Sequence, residues 1–218
     1  MKFTAIILAA GSGVRTGLDY NKILHKIHGK RVLDYSVDFF KNYGACTEII
    51  LVVSQSDYNL MIENYRCEKC HIIVGGSSRQ ESVYKGLIKA TEDYVLVHDS
   101  ARPYINKEKI DQLCEDLIET KAITLAVYVK DTIVKSIGNR LGKTLDRNSL
   151  LAVQTPQGFE RKLLMMAHEK AKKNGYITTD DTNLIAKFTD VMPSFVLGDY
   201  RSVKLTTKED IDYLEVIL

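Results

Sequence analysis

The chain has 218 residues, 45% of them hydrophobic and 27% charged, enough for a substantial core with one domain over residues 1–218 as the default. Its 30 Lys and Arg against 28 Asp and Glu leave a net charge of +2, which gives no reason to expect a nucleic-acid partner. No leading segment resembles a signal peptide and the first apolar run is far too short to span a membrane, so a cytoplasmic location without membrane attachment is expected.

Phe3–Leu8 reads as a buried first strand. It opens into Ala9-Ala10-Gly11-Ser12-Gly13-Val14-Arg15, where small residues let a ligand reach the backbone and glycines let N–H groups turn toward it. The next cation is Lys22. A dinucleotide fingerprint would need glycine where Thr16 stands, and the Gly-Lys-Ser/Thr of a Walker loop is absent. The segment is therefore either a tight turn or a triphosphate cradle. In the second case Arg15 and Lys22 supply charge to a reacting phosphorus. Lys30–Phe40 reads as a helix, Glu48–Val53 as a strand, Tyr58–Tyr65 as a helix and His71–Val74 as a strand. Cys67-Glu-Lys-Cys70-His71 formally matches half a zinc knuckle, but a zinc site needs about four ligands and no second pair exists. Reduced thiols at a strand start are the simpler reading.

The third strand runs into Gly75-Gly76, and Arg79–Ala90 follows as a helix. This loop is either a plain strand-to-helix turn or a nucleobase reader, with Ser82 on the first helical turn and Arg79 holding a phosphate or a neighbouring loop. Tyr94–His98 is a fourth strand that ends in Asp99-Ser100-Ala101-Arg102-Pro103. Ligands of open α/β sheets bind beyond the strands' carboxyl ends. Asp99 is thus placed to hold a divalent ion, for which Mg²⁺ needs only one or two carboxylates, or else to cap a helix. Arg102 could bind the phosphate of a second substrate, and His98 reads as structural.

Lys107–Glu119 is a helix and Ile123–Val129 a strand. This alternation predicts an α/β fold with a mostly parallel sheet covered by helices on both faces. After Lys130 the pattern changes. Thr132–Lys135 and Leu141–Leu145 flank a turn at Gly138-Asn139, a β-hairpin inserted at about residues 130–150. It either leaves the core as an arm that packs on a partner subunit or folds back on its own domain. Arg161–Lys173 follows as a helix with Leu163, Met166, Ala167 and Ala171 as its apolar stripe, then a short helix Asp181–Lys187 after Thr178-Thr179-Asp180. Met192–Leu197 and Ser202–Leu205 read as short strands, and Thr207–Leu218 as a closing helix capped by Thr206 or Thr207.

These motifs, in this order, resemble the 2-C-methyl-D-erythritol 4-phosphate cytidylyltransferases. The resemblance runs nearly end to end, from Ala9–Arg15 and Lys22 through Gly75-Gly76, Arg79, Ser82 and His98–Pro103. It continues in Lys130-Asp131-Thr132, Asp146-Arg147-Asn148, Gln154-Thr155-Pro156-Gln157, Thr179-Asp180-Asp181 and Val203-Lys204-Leu205-Thr206. It implies a Rossmann-like nucleotidyltransferase that moves a cytidylyl group from CTP to a small polyol phosphate. It further implies that Arg15, Lys22 and Lys204 serve the triphosphate and the transition state, and that Asp99 binds Mg²⁺. Ala9, Ala10, Gly11, Gly13, Gly75, Gly76 and Ser82 would line the nucleotide pocket, and Arg102, Thr155 and Thr179 the acceptor side. The resemblance also implies a homodimer in which Thr132 and Arg147 of the arm complete the neighbour's acceptor site.

The chain departs from the family pattern around the catalytic lysine, where Asn21 and Ile23 replace the usual proline and glutamine, and at Thr16 and Ser202. The related ribitol 5-phosphate cytidylyltransferases share the His-Asp-Ser start and often Gln-Thr-Pro-Gln, which leaves D-ribitol 5-phosphate as the alternative acceptor. They more often carry Ala-Gly-Gly where this chain has Ala9-Ala10-Gly11. A nucleotide-binding scaffold without turnover is the alternative of a different class. Retention of Lys22, Asp99, Arg102 and Lys204 argues against it.

Overall fold

A computed structural model describes residues 1–11 and 19–218. The apolar run at the start forms β1 (Phe3–Ala9). A single 3₁₀ turn, Lys22–Leu24, leads to a ribbon of β2 (Lys26–Ile27) and β3 (Lys30–Arg31). Then come α1 (Val32–Asn42), β4 (Cys46–Val53), α2 (Tyr58–Tyr65) and β5 (Cys70–Val74). Next are α3 (Arg79–Lys89), β6 (Tyr94–Asp99), α4 (Lys107–Thr120) and β7 (Ala122–Tyr128). The arm is β8 (Val134–Ile137) with β9 (Arg140–Thr144). The chain closes with β10 (Leu151–Glu160), α5 (Arg161–Lys173), α6 (Asp181–Phe188), β11 (Ser194–Leu197) and α7 (Glu209–Ile217).

Among the described residues, seven strands form one sheet in the order β11-β7-β10-β6-β1-β4-β5. All pairs are parallel except those of β10, which runs against both β6 and β7. Alternate side chains feed two cores. Ala5 and Ile7 of β1 pack with Leu33, Phe40, Leu113 and Leu117 of α1 and α4. Ile6 faces the other way, with Val83 and Leu87 of α3, Leu164 and Ala167 of α5 and Leu184 of α6. Burial on both faces is why these strands read as continuous apolar runs. Among the described residues, no helix is long and apolar enough to cross a membrane.

Four expectations need correction. The first helix starts at Val32, because Lys30-Arg31 pairs with Lys26-Ile27 across His28 (φ 50°) and Gly29 (φ 81°), a turn with two left-handed residues that suits a two-residue hairpin. In α5, Met166 is exposed and Leu164 and His168 take the buried positions. Ser202–Leu205 joins no sheet; Leu205 N–H bonds to the Ala101 carbonyl (2.8 Å), and the segment is otherwise a loop. The last helix begins at Glu209, and its threonines do not cap it. Instead Asp210 Oδ2 accepts from the N–H groups of Thr206 (2.7 Å) and Thr207 (2.8 Å). The strand β10 was not expected at all.

Candidate active site

The carboxyl ends of β1 and β6 lie side by side, with Leu8 paired to Asp99. Beyond them opens a cavity of about 540 Å³, lined by Ala9, Ala10, Gly11, Lys22, Gly76, Ser77, Ser78, Arg79, Ser82, Asp99, Ser100 and Lys204, among others. Residues from five separate stretches of sequence thus converge where an open parallel sheet binds its ligands.

The glycine loop after β5 is built for close approach. A Cβ at Gly75 would lie 2.8 Å from Ser82 Oγ and 2.9 Å from Ala10 Cβ, so only glycine lets these two loops meet. Ser78 caps α3 by accepting from Glu81 N–H (3.1 Å). Ser82 Oγ accepts from Gly76 N–H (3.0 Å) and donates to the Ser78 carbonyl (2.9 Å). The hydroxyl therefore braces the loop and keeps one lone pair for a ligand donor.

Asp99 is the carboxylate of the cavity wall. Its Oδ2 is 2.6 Å from Lys204 Nζ and its Oδ1 is 3.3 Å from Arg79 Nε. Burial alone would raise its pKa, but Arg79 and then Lys204 hold it well below the usual carboxylate range. Arg79 is in turn fixed by Asp181 at 2.6 Å, and the other Asp181 oxygen lies 3.2 Å from His168 Nε2. Burial disfavours the charge on Arg79, yet Asp181 and Asp99 together raise its pKa. Behind the strand end, His98 is fully buried. Its Nε2 donates to the Arg102 carbonyl (3.2 Å) and its Nδ1 accepts from the Thr155 hydroxyl (3.2 Å). Thr155 Oγ1 accepts from Asp99 N–H (3.1 Å), which completes a line of hydrogen bonds onto the metal candidate. Burial depresses the His98 pKa to about 4, so the ring is neutral at pH 7.

The structure therefore brings Ala9, Ala10, Gly11, Lys22, Gly76, Ser82, Asp99 and Lys204 together, with Gly75 directly behind them. Gly13 and Arg15 lie outside the described residues. Arg102 does not line the cavity; its Nη1 donates to the Ser202 carbonyl (2.5 Å), while its Nε is buried without a partner. Thr155 is buried behind Asp99. Thr179 is exposed before α6, and Thr132 and Arg147 are exposed on the arm, where Arg147 Nη1 donates to the Lys130 carbonyl (3.2 Å). The Asp181–His168 support of Arg79 was not foreseen, and the spacing of 102 residues between Arg79 and Asp181 left no local signal.

Among the described residues, no group of three or more His, Cys, Asp or Glu could hold a metal ion. A cation at Asp99 would draw its remaining ligands from phosphate and water. That donor set fits Mg²⁺, which keeps several waters and takes one or two carboxylates.

The profile of the family described as 2-C-methyl-D-erythritol 4-phosphate cytidylyltransferase matches residues 3–218. Over 223 residues the chain is 39% identical to the enzyme of that name from Bacillus velezensis, covering 100% of this chain and 96% of the relative. It is 40% identical to that of Geobacillus kaustophilus, with coverage of 100% and 97%. Among solved structures, the Francisella tularensis 2-C-methyl-D-erythritol 4-phosphate cytidylyltransferase superposes with a TM-score of 0.88 at 29% identity, over 100% of both chains. The 4-diphosphocytidyl-2C-methyl-D-erythritol synthase of Anaerococcus prevotii gives 0.85 at 31% identity, over 99% of this chain and 95% of that one. With this fold, this cavity and matches that run the length of the chain, it belongs to the 2-C-methyl-D-erythritol 4-phosphate cytidylyltransferase family.

Proposed function

We infer that this chain transfers a cytidylyl group from CTP to 2-C-methyl-D-erythritol 4-phosphate, giving 4-diphosphocytidyl-2-C-methyl-D-erythritol and pyrophosphate. The observation that carries the reading is the convergence of Lys22, Asp99 and Lys204 on one cavity at the sheet's carboxyl edge, in a chain of this family. CTP lies along Ala9–Gly11 and Gly13, with its base toward Gly75, Gly76 and Ser82. An acceptor phosphate oxygen forms a bond to the α-phosphorus as the bond to the β-phosphate bridge breaks. The acceptor phosphate is already largely dianionic at neutral pH, its second pKa being about 6, so no general base is needed. Positioning and charge stabilisation are the enzyme's task. Arg15 and Lys22 hold the phosphate oxygens on which charge builds. Lys204 exchanges its bond to Asp99 for one to substrate phosphate. Asp99 would hold Mg²⁺, which when bound neutralises phosphate charge.

Arg102, Thr155 and Thr179 are assigned to the acceptor side on the family resemblance; the Nε of Arg102 is buried and has no hydrogen-bond partner among the described residues. Residues 1–218 act as one catalytic unit in the cytoplasm, paired as a homodimer through the arm. The exposure of Ile137 (69%) and Leu141 (83%) on the arm supports such pairing, because large apolar side chains at a hairpin tip favour a partner surface. Thr132 and Arg147 then serve the neighbour's acceptor site. The test is Mg²⁺-dependent pyrophosphate release from CTP with 2-C-methyl-D-erythritol 4-phosphate and D-ribitol 5-phosphate in parallel. Preference for the first is expected. Preference for the second overturns the acceptor assignment, and release with neither overturns the activity.

A further inference from the structure

Lys22 reaches the cavity from a single 3₁₀ turn rather than from a strand or a long helix. The turn closes through Leu24 N–H to the Asn21 carbonyl (2.9 Å) and His25 N–H to the Lys22 carbonyl (3.1 Å). A three-residue turn has little rigidity of its own. Ile23 anchors one side of it in the core. The other side is tied by Asn21, whose Oδ1 accepts from Ile23 N–H (3.4 Å) and whose Nδ2 donates to Asp57 Oδ2 (2.9 Å).

Asp57 stands just before α2, where an aspartate ordinarily caps the helix. It makes no such bond: its backbone is helical (φ −92°, ψ −6°) and its side chain caps nothing. The carboxylate instead takes Asn21 Nδ2 and the Ser54 hydroxyl (2.8 Å). Ser54 directly follows β4, whose last residue Val53 pairs with Ala9 on one side and Val74 on the other. The lysine turn is thus fastened to the sheet at the strand that borders the nucleotide loops. Asn21 has φ −62°, a value a proline ring would fix covalently.

We propose that Asn21 and Asp57 are positioning residues that aim Lys22 at the substrate phosphates. The inference rests on the reading of Lys22 given above. Neither residue lines the cavity, so both act through the lysine.

The test is a swap. Asn21→Asp sets two carboxylates against each other, and kcat falls about tenfold, in line with the cost of misplacing a reacting group. The KM for the acceptor stays within about twofold, because the lysine serves the nucleotide. Asp57→Ala removes the same bond without a like charge and lowers kcat in the same sense. The double variant N21D/D57N restores the pair with donor and acceptor exchanged, and kcat returns to within about threefold of wild type. A purely structural contact would lower the melting temperature of the single variants and leave kcat unchanged. Wild-type kcat in both single variants, or a double variant no better than N21D, overturns the proposal. Lys22→Ala separates it from its premise. If K22A turns over normally, the role of Lys22 falls. If K22A loses about 10²-fold while N21D and D57A do not slow, the positioning role alone falls.

Discussion

Lys204 Nζ and Asp99 Oδ2 are 2.6 Å apart, so the cation proposed for phosphate and the carboxylate proposed for metal neutralise each other before substrate arrives. Asp99→Asn removes a negative charge from a wall that also carries Arg79 and Lys22. Turnover at saturating Mg²⁺ is expected to fall by at least about 10²-fold. CTP binding measured in EDTA is expected to hold or tighten, because the cavity becomes more positive. A D99N protein that binds CTP more weakly without metal would contradict this account.

His98 predicts a dependence of stability on pH. Its folded pKa is about 4 and its ordinary value is 6.5. Below pH 6.5 the unfolded chain takes up a proton that the buried ring refuses, so stability falls as pH drops and this contribution levels off near pH 4. From pH 7 to pH 5 the loss is about 2 kcal/mol. Asp99, already held far below the carboxylate range, adds its own loss only at lower pH. Urea midpoints of metal-free protein at the two pH values measure the slope, which should flatten in His98→Gln.

The arm reading makes a kinetic prediction. Thr132→Ala with Arg147→Ala should raise the KM for the acceptor about tenfold and leave the Kd for CTP within about twofold. Unchanged acceptor kinetics would remove these residues from the acceptor site.

Assembly can be checked separately. Ile137→Glu with Leu141→Glu places two charges on side chains that are 69% and 83% exposed, and should shift sedimentation from dimer to monomer. If the wild-type chain already sediments as a monomer, the pairing proposal fails.

Gly86 sits inside α3 with a Cβ position 2.6 Å from Ile6 Cγ2, and Ile6 is fully buried. Alanine would gain about 1 kcal/mol of helix propensity. Overpacking against a strand with no room to shift costs about 1–3 kcal/mol, so the clash should win. Gly86→Ala is therefore expected to lower the denaturation midpoint without changing the KM for CTP.

The sheet was legible because its parallel strands are buried on both faces and the apolar runs announce them. The strand β10 was not, because Gln154, Thr155 and Gln157 are buried polar residues and Pro156 breaks the run. Their burial is tolerated through bonds such as Gln157 Nε2 to Asp180 (2.6 Å), partners that spacing cannot reveal. Ser202–Leu205 misled in the opposite way. Its alternation imitates a strand, but Lys204 points to Asp99 instead of presenting one face of a sheet. In the cavity, the positions beyond strand ends drew attention to Asp99 and the glycine loops. The departure at Asn21 was visible, whereas its partner Asp57, 36 residues away, was not.

The arm has a further consequence through its root. Tyr128 pairs with Leu151 at the end of the antiparallel β7–β10 ladder, and Val129 N–H reaches the Leu150 carbonyl at 3.4 Å. The entire arm is therefore an excursion from a point where two strands already meet. None of the seven strands of the main sheet lies between Val129 and Leu150, so a chain cut back to a short turn there is expected to keep that sheet. The arm is thus set apart from the main sheet, and the base where Val129 meets Leu150 is a natural graft point for a different hairpin.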